Sequence, residues 1–540
     1  MSKKEDTSAL KVIVTTIAAL GGATVVGLAA LYYVYRDHAY GTRKRPDLIT
    51  VPGSKALTGN LSDLAAHLGD RLEFQYGLYK QFGKIIYATV PGRNIIYDFD
   101  VNDLQRILSE PYIYAKSEAA MVNARPLLGH GIFSANFDEW RLQRKVACEY
   151  LLSCAEESAF TSKNFTILAN IFTVNNFKTH FMSGFVEETK LLLSHLQAAG
   201  DQGAIIDLQD LLLRGTLDAF CQLGCGKTVD ALKMTATIQD GVYTLPNVPF
   251  MTVFDSLMTV TIERTFNPIW GITERFNGDS AEIVAEKRAN PRDPSKKMDL
   301  IDFFLETSNA DGTPFSDEYL RDVIINFVVG GRDTTAQTLS WCFWCLSQHP
   351  AEYKKLQDEV QAVLGDEEIT YEKVKELKYC LACFLETLRI HSNVPVARKQ
   401  AVQDDVLPSG TKVMKGDYLE YSPWIMGRQT ELWGADALEW KPARWIDSSG
   451  SVINPSPFVF PNFNAGPRQC LGINMAKQEG VVFLASIVRH FDRFELVNED
   501  DPKKWAVFSD DPFLRRGRYG VAATLSMRSA VHFKLHRKTV

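Results

Sequence analysis

The sequence predicts a mostly α-helical chain with a small β-rich part, preceded by one transmembrane helix, and three stretches carry that expectation. Val12 to Tyr35 runs 24 residues without a charge between Lys11 and Arg36, long enough to span a bilayer. Ser316 to His349 is a long helical pattern that opens on a serine able to N-cap and closes before Pro350. Ile473 to Phe491 is an apolar, helix-forming run that follows a tight loop holding two glycines and a proline. The strand signals are short by comparison, the clearest being Lys84 to Val90 and Asn94 to Phe99 around the turn Pro91-Gly92.

The 540 residues show no linker, and 46% of them are hydrophobic, enough for one large core. The polar patches at 290–297, 308–314, 447–457 and 498–512 read as surface loops. A net charge of −6 argues against general nucleic-acid binding. Nine cysteines without a small-domain spacing suit a reducing compartment and free thiols. The pairs Cys342/Cys345 and Cys380/Cys383 have zinc-like spacing, but both fall inside helical patterns with no knuckle turn, so packing is the expected role.

In chain order, Val12 to Tyr35 is read as a retained signal anchor, too long in its apolar part for a cleaved leader. Arg36, Arg43, Lys44 and Arg45 outnumber Lys3, Lys4 and Lys11, which places the bulk of the chain on the cytosolic side. The expected division is an anchor over 1–36 with its helix at about 12–35, a basic, proline-containing hinge over 37–60, and one domain over 61–540. After the hairpin a helix follows from Val101 to Leu108. Residues 109–133 then lack clean periodicity. Trp140 and Arg144 share a helix face at i, i+4 that can hold a carboxylate, although for this motif alone a solvated face with one packed tryptophan is the plainer reading. Gly226-Lys227-Thr228 copies the tail of a phosphate-binding loop. Cys221 stands where that loop needs a glycine, and a helical rather than a strand pattern precedes it.

Within the long helix, Gly330 and Gly331 precede Arg332-Asp333-Thr334-Thr335. Two mid-helix glycines cost roughly 1 kcal/mol each, which suggests a packing or functional reason. Glu386 and Arg389 at i, i+3 are by default a surface ion pair. The run from Pro461 to Gly472 places Cys470 before a helix start, where unpaired N–H groups favour a thiolate able to ligate iron. Arg468 can reach an acidic group on the same ligand, Phe463 can shield the sulfur, and Gly466 and Gly472 remove side chains that would block a flat macrocycle.

Phe463-x-x-Gly466-x-Arg468-x-Cys470-x-Gly472 resembles the proximal haem motif of the cytochrome P-450 family. The other motifs stand in that family's order: Trp140-x-x-x-Arg144, Gly330-Gly331-x-Asp333-Thr334-Thr335, Glu386-x-x-Arg389 and Pro442-x-Arg444. The resemblance covers about residues 46–540. It implies the cytochrome P-450 fold, with haem b between the long helix and the Cys470 loop, and Cys470 as the metal ligand. Asp333 and Thr334 become catalytic proton donors during dioxygen reduction, with Gly331 part of an oxygen groove. Trp140, Arg144, Arg398, Phe463 and Arg468 become cofactor contacts, Val394 to Val396 a strand lining the pocket, and 109–133 a lid. The strand pair read from Thr524 to Arg537 would bring its turn, Met527 to Ala530, to the substrate.

The same resemblance implies a monooxygenase with an NADPH-cytochrome reductase as partner, a lipophilic substrate, membrane lipid around the anchor, and location in the endoplasmic reticulum membrane. It is nearest to the fungal and plant group that hydroxylates fatty acids at or near the ω carbon. Alkanes, sterols, other lipophilic molecules or a reductase-independent isomerase or dehydratase are the alternatives.

Overall fold

A computed structural model of the protein describes residues 27–149, 181–225, 228–263, 316–520 and 524–538. The long helix Asp317–Gln348 is its axis. Ser316 accepts from the Tyr319 N–H, Asp317 and Glu318 sit in the positive first turn, and Pro350 opens the next helix, Pro350–Leu364. Leu339, Trp341, Phe343 and Leu346 are almost completely buried on it, each contributing roughly 1.5–3 kcal/mol of apolar burial or more. The helix packs against Leu208–Cys225, Lys378–Ile390 and Ile473–His490. All three lie where the sequence pattern placed helices. The cysteine pairs lie on two of the helices, buried in the core.

Two sheets flank the helices. In the first, Ile85–Val90 and Arg93–Asp98 form the expected hairpin through Gly92, whose φ of 72° suits glycine. Tyr418–Tyr421 adds parallel to the second strand, followed by Ala397–Ala401 and Tyr114–Ala115. The second sheet orders Phe491–Leu496, His532–Arg537, Ile205–Asp207, Val242–Thr244 and Thr237–Gln239.

Several expectations are corrected. Val394 to Val396 is not a strand: the strand begins at Ala397, because Pro395 has no N–H to give and its carbonyl is taken by the Ser422 hydroxyl at 2.7 Å. Thr524 to Arg537 supplies one strand, not two, and its partners are Phe491–Leu496 and Ile205–Asp207. Residues 109–133 are largely ordered as strand and helix. Ser117 caps a helix, Glu118–Leu128, that carries Pro126 inside it. The helix Leu208–Cys225 runs up to Gly226, which removes the strand that a phosphate-binding loop requires; Gly226 and Lys227 lie outside the described residues. Most of the anchor expected at 12–35 also lies outside them. Its end, 27–34, is helical, and no helix among the described residues is long and apolar enough to cross a membrane.

Candidate active site

A cavity of about 350 Å³ opens between the long helix and the Cys470 loop. Beneath it, short helical turns at Pro461–Phe463 and Gly466–Arg468 fold the loop back, and the Cys470 N–H donates to the Phe463 carbonyl at 2.7 Å. Cys470 and Phe463 both face the cavity. Gly466, at φ 62°, is needed for a different reason from the one expected: a Cβ there would strike the Leu108 backbone, so the glycine seats the loop on the helix Val101–Ser109. Gly472 does line the cavity, with open space where a Cβ would be. The helix starts at Ile473 with Gly472 as its cap, so Cys470 stands two residues outside it. Burial pushes the thiol above its ordinary pKa, against the pull of the Gly472 N–H and Arg144. A metal cation bound at the sulfur would favour its ionised form.

One rim of the cavity is a cluster of cations. The Arg468 guanidinium lies 4.2 Å over the Trp140 ring, donates to the Ala135 carbonyl and Asn136, and keeps a buried Nε without a partner. Arg144, one helical turn from Trp140, donates to the Gln469 carbonyl at 2.7 Å and ties this helix, Phe137–Glu149, to the loop. Arg398 is not part of the rim. Neighbouring residues of a strand point to opposite faces, and Arg398 pairs with Glu420 across the ladder. Burial would raise the Glu420 carboxyl, yet Arg71 and Arg398 hold it down to about 2. Its neighbour Lys399 takes the other face, where burial and Arg468 pull its pKa down to about 7. Lys116 joins it: its Nζ donates to the Phe133 carbonyl at 2.6 Å, and burial with Arg468 and Lys399 nearby holds it well below its ordinary range. Burial and Arg144 bring Arg468 down to about 10. No carboxylate offsets these shifts among the described residues. The rim is built for an anionic ligand.

The roof is the long helix. Gly330, Gly331, Thr334 and Thr335 line the cavity. A Cβ on Gly331 would fall into the Phe220 ring, whereas one on Gly330 would stand 3.6 Å from Phe133, an ordinary contact. Gly331 is thus required first by the crossing with Leu208–Cys225. The Thr334 hydroxyl donates to the Gly330 carbonyl at 2.8 Å. Asp333 is not among the lining residues: its carboxylate accepts from Arg332 at 3.0 Å, and Arg332 also holds Asp255 at 2.6 Å. Burial lifts Asp333 to about 6 against the pull of Arg332. Met527 to Ala530, expected at the substrate, contributes nothing to the lining; Met527 is instead bonded to Gln209.

The family profile described as Cytochrome P450 matches residues 161–509. The cytochrome P450 monooxygenase cyp1 of Mycosarcoma maydis is 32% identical over 508 residues, 88% of this chain and 74% of its own length. Cytochrome P450 CYP94D109 of Paris polyphylla is 33% identical over 404 residues, 70% of this chain and 75% of its own. Cytochrome P450 86B1 of Arabidopsis thaliana is 30% identical, covering 82% of this chain and 78% of its own. The chain is a cytochrome P450. As a P450 monooxygenase it uses haem with a thiolate ligand and electrons supplied by a reductase. The cavity fits that cofactor: a thiol faces it from below, the walls are mostly apolar, and the buried basic groups of Lys116, Lys399 and Arg468 at one rim match the two carboxylates of protoporphyrin.

Three side chains of this P450 site were not found by sequence reasoning. Lys116 and Lys399 are single lysines in unremarkable runs. Glu479 is buried, lines the cavity, and is pushed up to about 8 by burial beside Thr335. Its signal was available: it is a carboxylate inside an otherwise apolar helical run.

Proposed function

We propose that this P450 hydroxylates medium- to long-chain fatty acids at or near the methyl end. The observation that carries the reading is the mostly apolar lining of the cavity, where Ile132, Phe133, Phe220, Phe327 and Val394 stand with Thr334 and the uncharged amides of Asn326 and Asn393. Such a surface suits an alkyl chain. The resemblance of the long-helix and Cys470 motifs to the fatty-acid ω-hydroxylase group points the same way. Incubation of the purified enzyme with an NADPH-cytochrome reductase, NADPH and C12 to C18 fatty acids should yield ω or near-ω hydroxy acids. Absence of product and of a type I spectral shift with all of them, alongside turnover of a sterol or an aromatic compound, would defeat the assignment.

Cys470 ligates the iron in this reading, and haem supplies the chemistry of dioxygen activation. Arg468, Arg144, Trp140, Lys116 and Lys399 would hold the macrocycle's carboxylates, and Phe463 would shield the sulfur. The Thr334 hydroxyl passes protons into the cavity, and the Asp333 carboxyl, lifted to about 6 by burial, recharges it after release from Arg332. Thr334→Ala is expected to keep its haem while roughly tenfold less product forms per NADPH, the difference appearing as peroxide or water. Wild-type coupling in that variant would remove the role.

The stretch 12–35 anchors the enzyme in the endoplasmic reticulum membrane with the catalytic domain in the cytosol. Deleting residues 1–36 should shift the protein from the membrane pellet toward the supernatant and leave its carbonmonoxy spectrum intact; unchanged sedimentation would argue against an anchor there.

A further inference from the structure

The stretch 128–134 delivers Ile132 and Phe133 to the cavity and overlaps the end of 109–133, the segment that the resemblance implies is a lid. Its attachments are those of a fixed wall. Asp322 and Asn326 lie one turn apart on the long helix, and both are buried, Asn326 to 1% exposure. Asp322 accepts the His130 N–H at 2.8 Å, while Arg321 holds its other oxygen at 2.7 Å. Asn326 accepts the Phe133 N–H at 2.8 Å and donates to the Leu128 carbonyl at 2.7 Å, so one amide grips both ends of the turn.

The grip needs contact between backbone and helix side chains, and the turn is shaped for it. A Cβ on Gly129 would overlap the Asp322 carboxylate, and a Cβ on Gly131 would overlap the Asn326 amide. Gly129 also has φ 50°, open to glycine. From the other side, Gln143 donates to the His130 carbonyl at 2.6 Å, and Lys116 to the Phe133 carbonyl at 2.6 Å. Ser134 closes the turn on Gly129 at 2.6 Å. Opening it would expose a buried carboxylate and a buried amide without partners, which is costly.

We propose that Asp322 and Asn326 are positioning residues that pin turn 128–134 as a rigid wall of the cavity, so that ligands reach the iron without this segment opening. The pin also fixes the Ile132 and Phe133 carbonyls that accept from Lys116, at 3.4 and 2.6 Å, and through them a cation of the rim. Motion that admits substrate then belongs to other walls of the cavity.

The test is hydrogen exchange on the full-length, haem-loaded protein. The peptide holding the His130 and Phe133 amides should exchange at least about a hundredfold slower than an exposed turn, close to the rate of the long helix. Asn326→Ala should speed that peptide by about tenfold or more while exchange elsewhere in the long helix and the carbonmonoxy spectrum stay unchanged. The same variant should alter the type II binding constant of 4-phenylimidazole more than that of imidazole, which a general loss of stability would not do. Asn326→Asp keeps the acceptor for Phe133 and loses the donor to Leu128, so it should fall between, and it serves if the alanine variant does not accumulate. Rapid exchange of the turn in the wild-type protein, or an unchanged rate in the Asn326 variants, would overturn the proposal.

Discussion

Replacing Cys470 by serine is expected to abolish the thiolate-type carbonmonoxy absorbance of the reduced protein and to lower turnover by at least about 10³, more than about 4 kcal/mol of barrier. Serine is close to isosteric, and the bond that shapes the loop, from the residue 470 N–H to the Phe463 carbonyl, belongs to the backbone. The loop therefore survives the change. What is lost is the soft, anionic sulfur, since an alcohol is far harder to deprotonate and donates less electron density to iron. The substitution separates ligand chemistry from folding. An unchanged spectrum would show that another side chain ligates the metal.

The second large effect is expected at Arg389, which never touches the cavity. Its guanidinium binds Glu386 through two bonds of 2.7 Å, then donates to the Ala437 carbonyl at 2.6 Å, the Glu439 carbonyl at 2.8 Å and the Gly427 carbonyl. Glu386 also accepts from Arg444, Trp445 and the Lys441 backbone at 2.7 to 2.9 Å. Both Glu386 and Arg389 are fully buried. Removing one partner of such a pair costs about 3–5 kcal/mol, before the three carbonyls are counted, against a total stability of about 5–15 kcal/mol. Arg389→Ala should leave little or no haem-loaded protein. Arg389→Lys keeps the charge but not the fork of donors, and should recover only part of the yield. Wild-type yield and melting temperature in the alanine variant would contradict this account. A Cβ at Gly427 would collide with the Arg389 carbonyl, so the two segments meet there at backbone distance.

The legible parts of the site are those whose chemistry is contiguous in the chain. Cys470, Phe463, Gly466 and Arg468 lie within ten residues, so one loop carries the thiol, the aromatic ring and the cation together. The long helix was equally readable, because its cap, its period and its stop are local. Glu386 and Arg389 could be paired from helical spacing alone. Their burial could not, since the residues that cover them, 427 to 445, come from a distant segment of the chain.

Parity on a strand decided the largest error. Arg398 and Lys399 are both cations in one short run, and sequence alone offers no way to choose the face that meets the cavity. Glu420 on the neighbouring strand claims Arg398 and leaves Lys399 beside Arg468. Gly331 is a similar case, since the ring that forbids a side chain there, Phe220, lies on another helix. The turn at 128–134 looked irregular for the same reason: its order comes from Asp322 and Asn326, about two hundred residues downstream. By itself the sequence determined the loop that carries Cys470, the long helix with its Thr334, and the family, because each rests on spacing within one stretch. Tertiary structure decided which cations gather around Arg468, why Gly331 and Gly466 are glycines, and which side chains bond the turn at 128–134, because those depend on which distant segments meet in space.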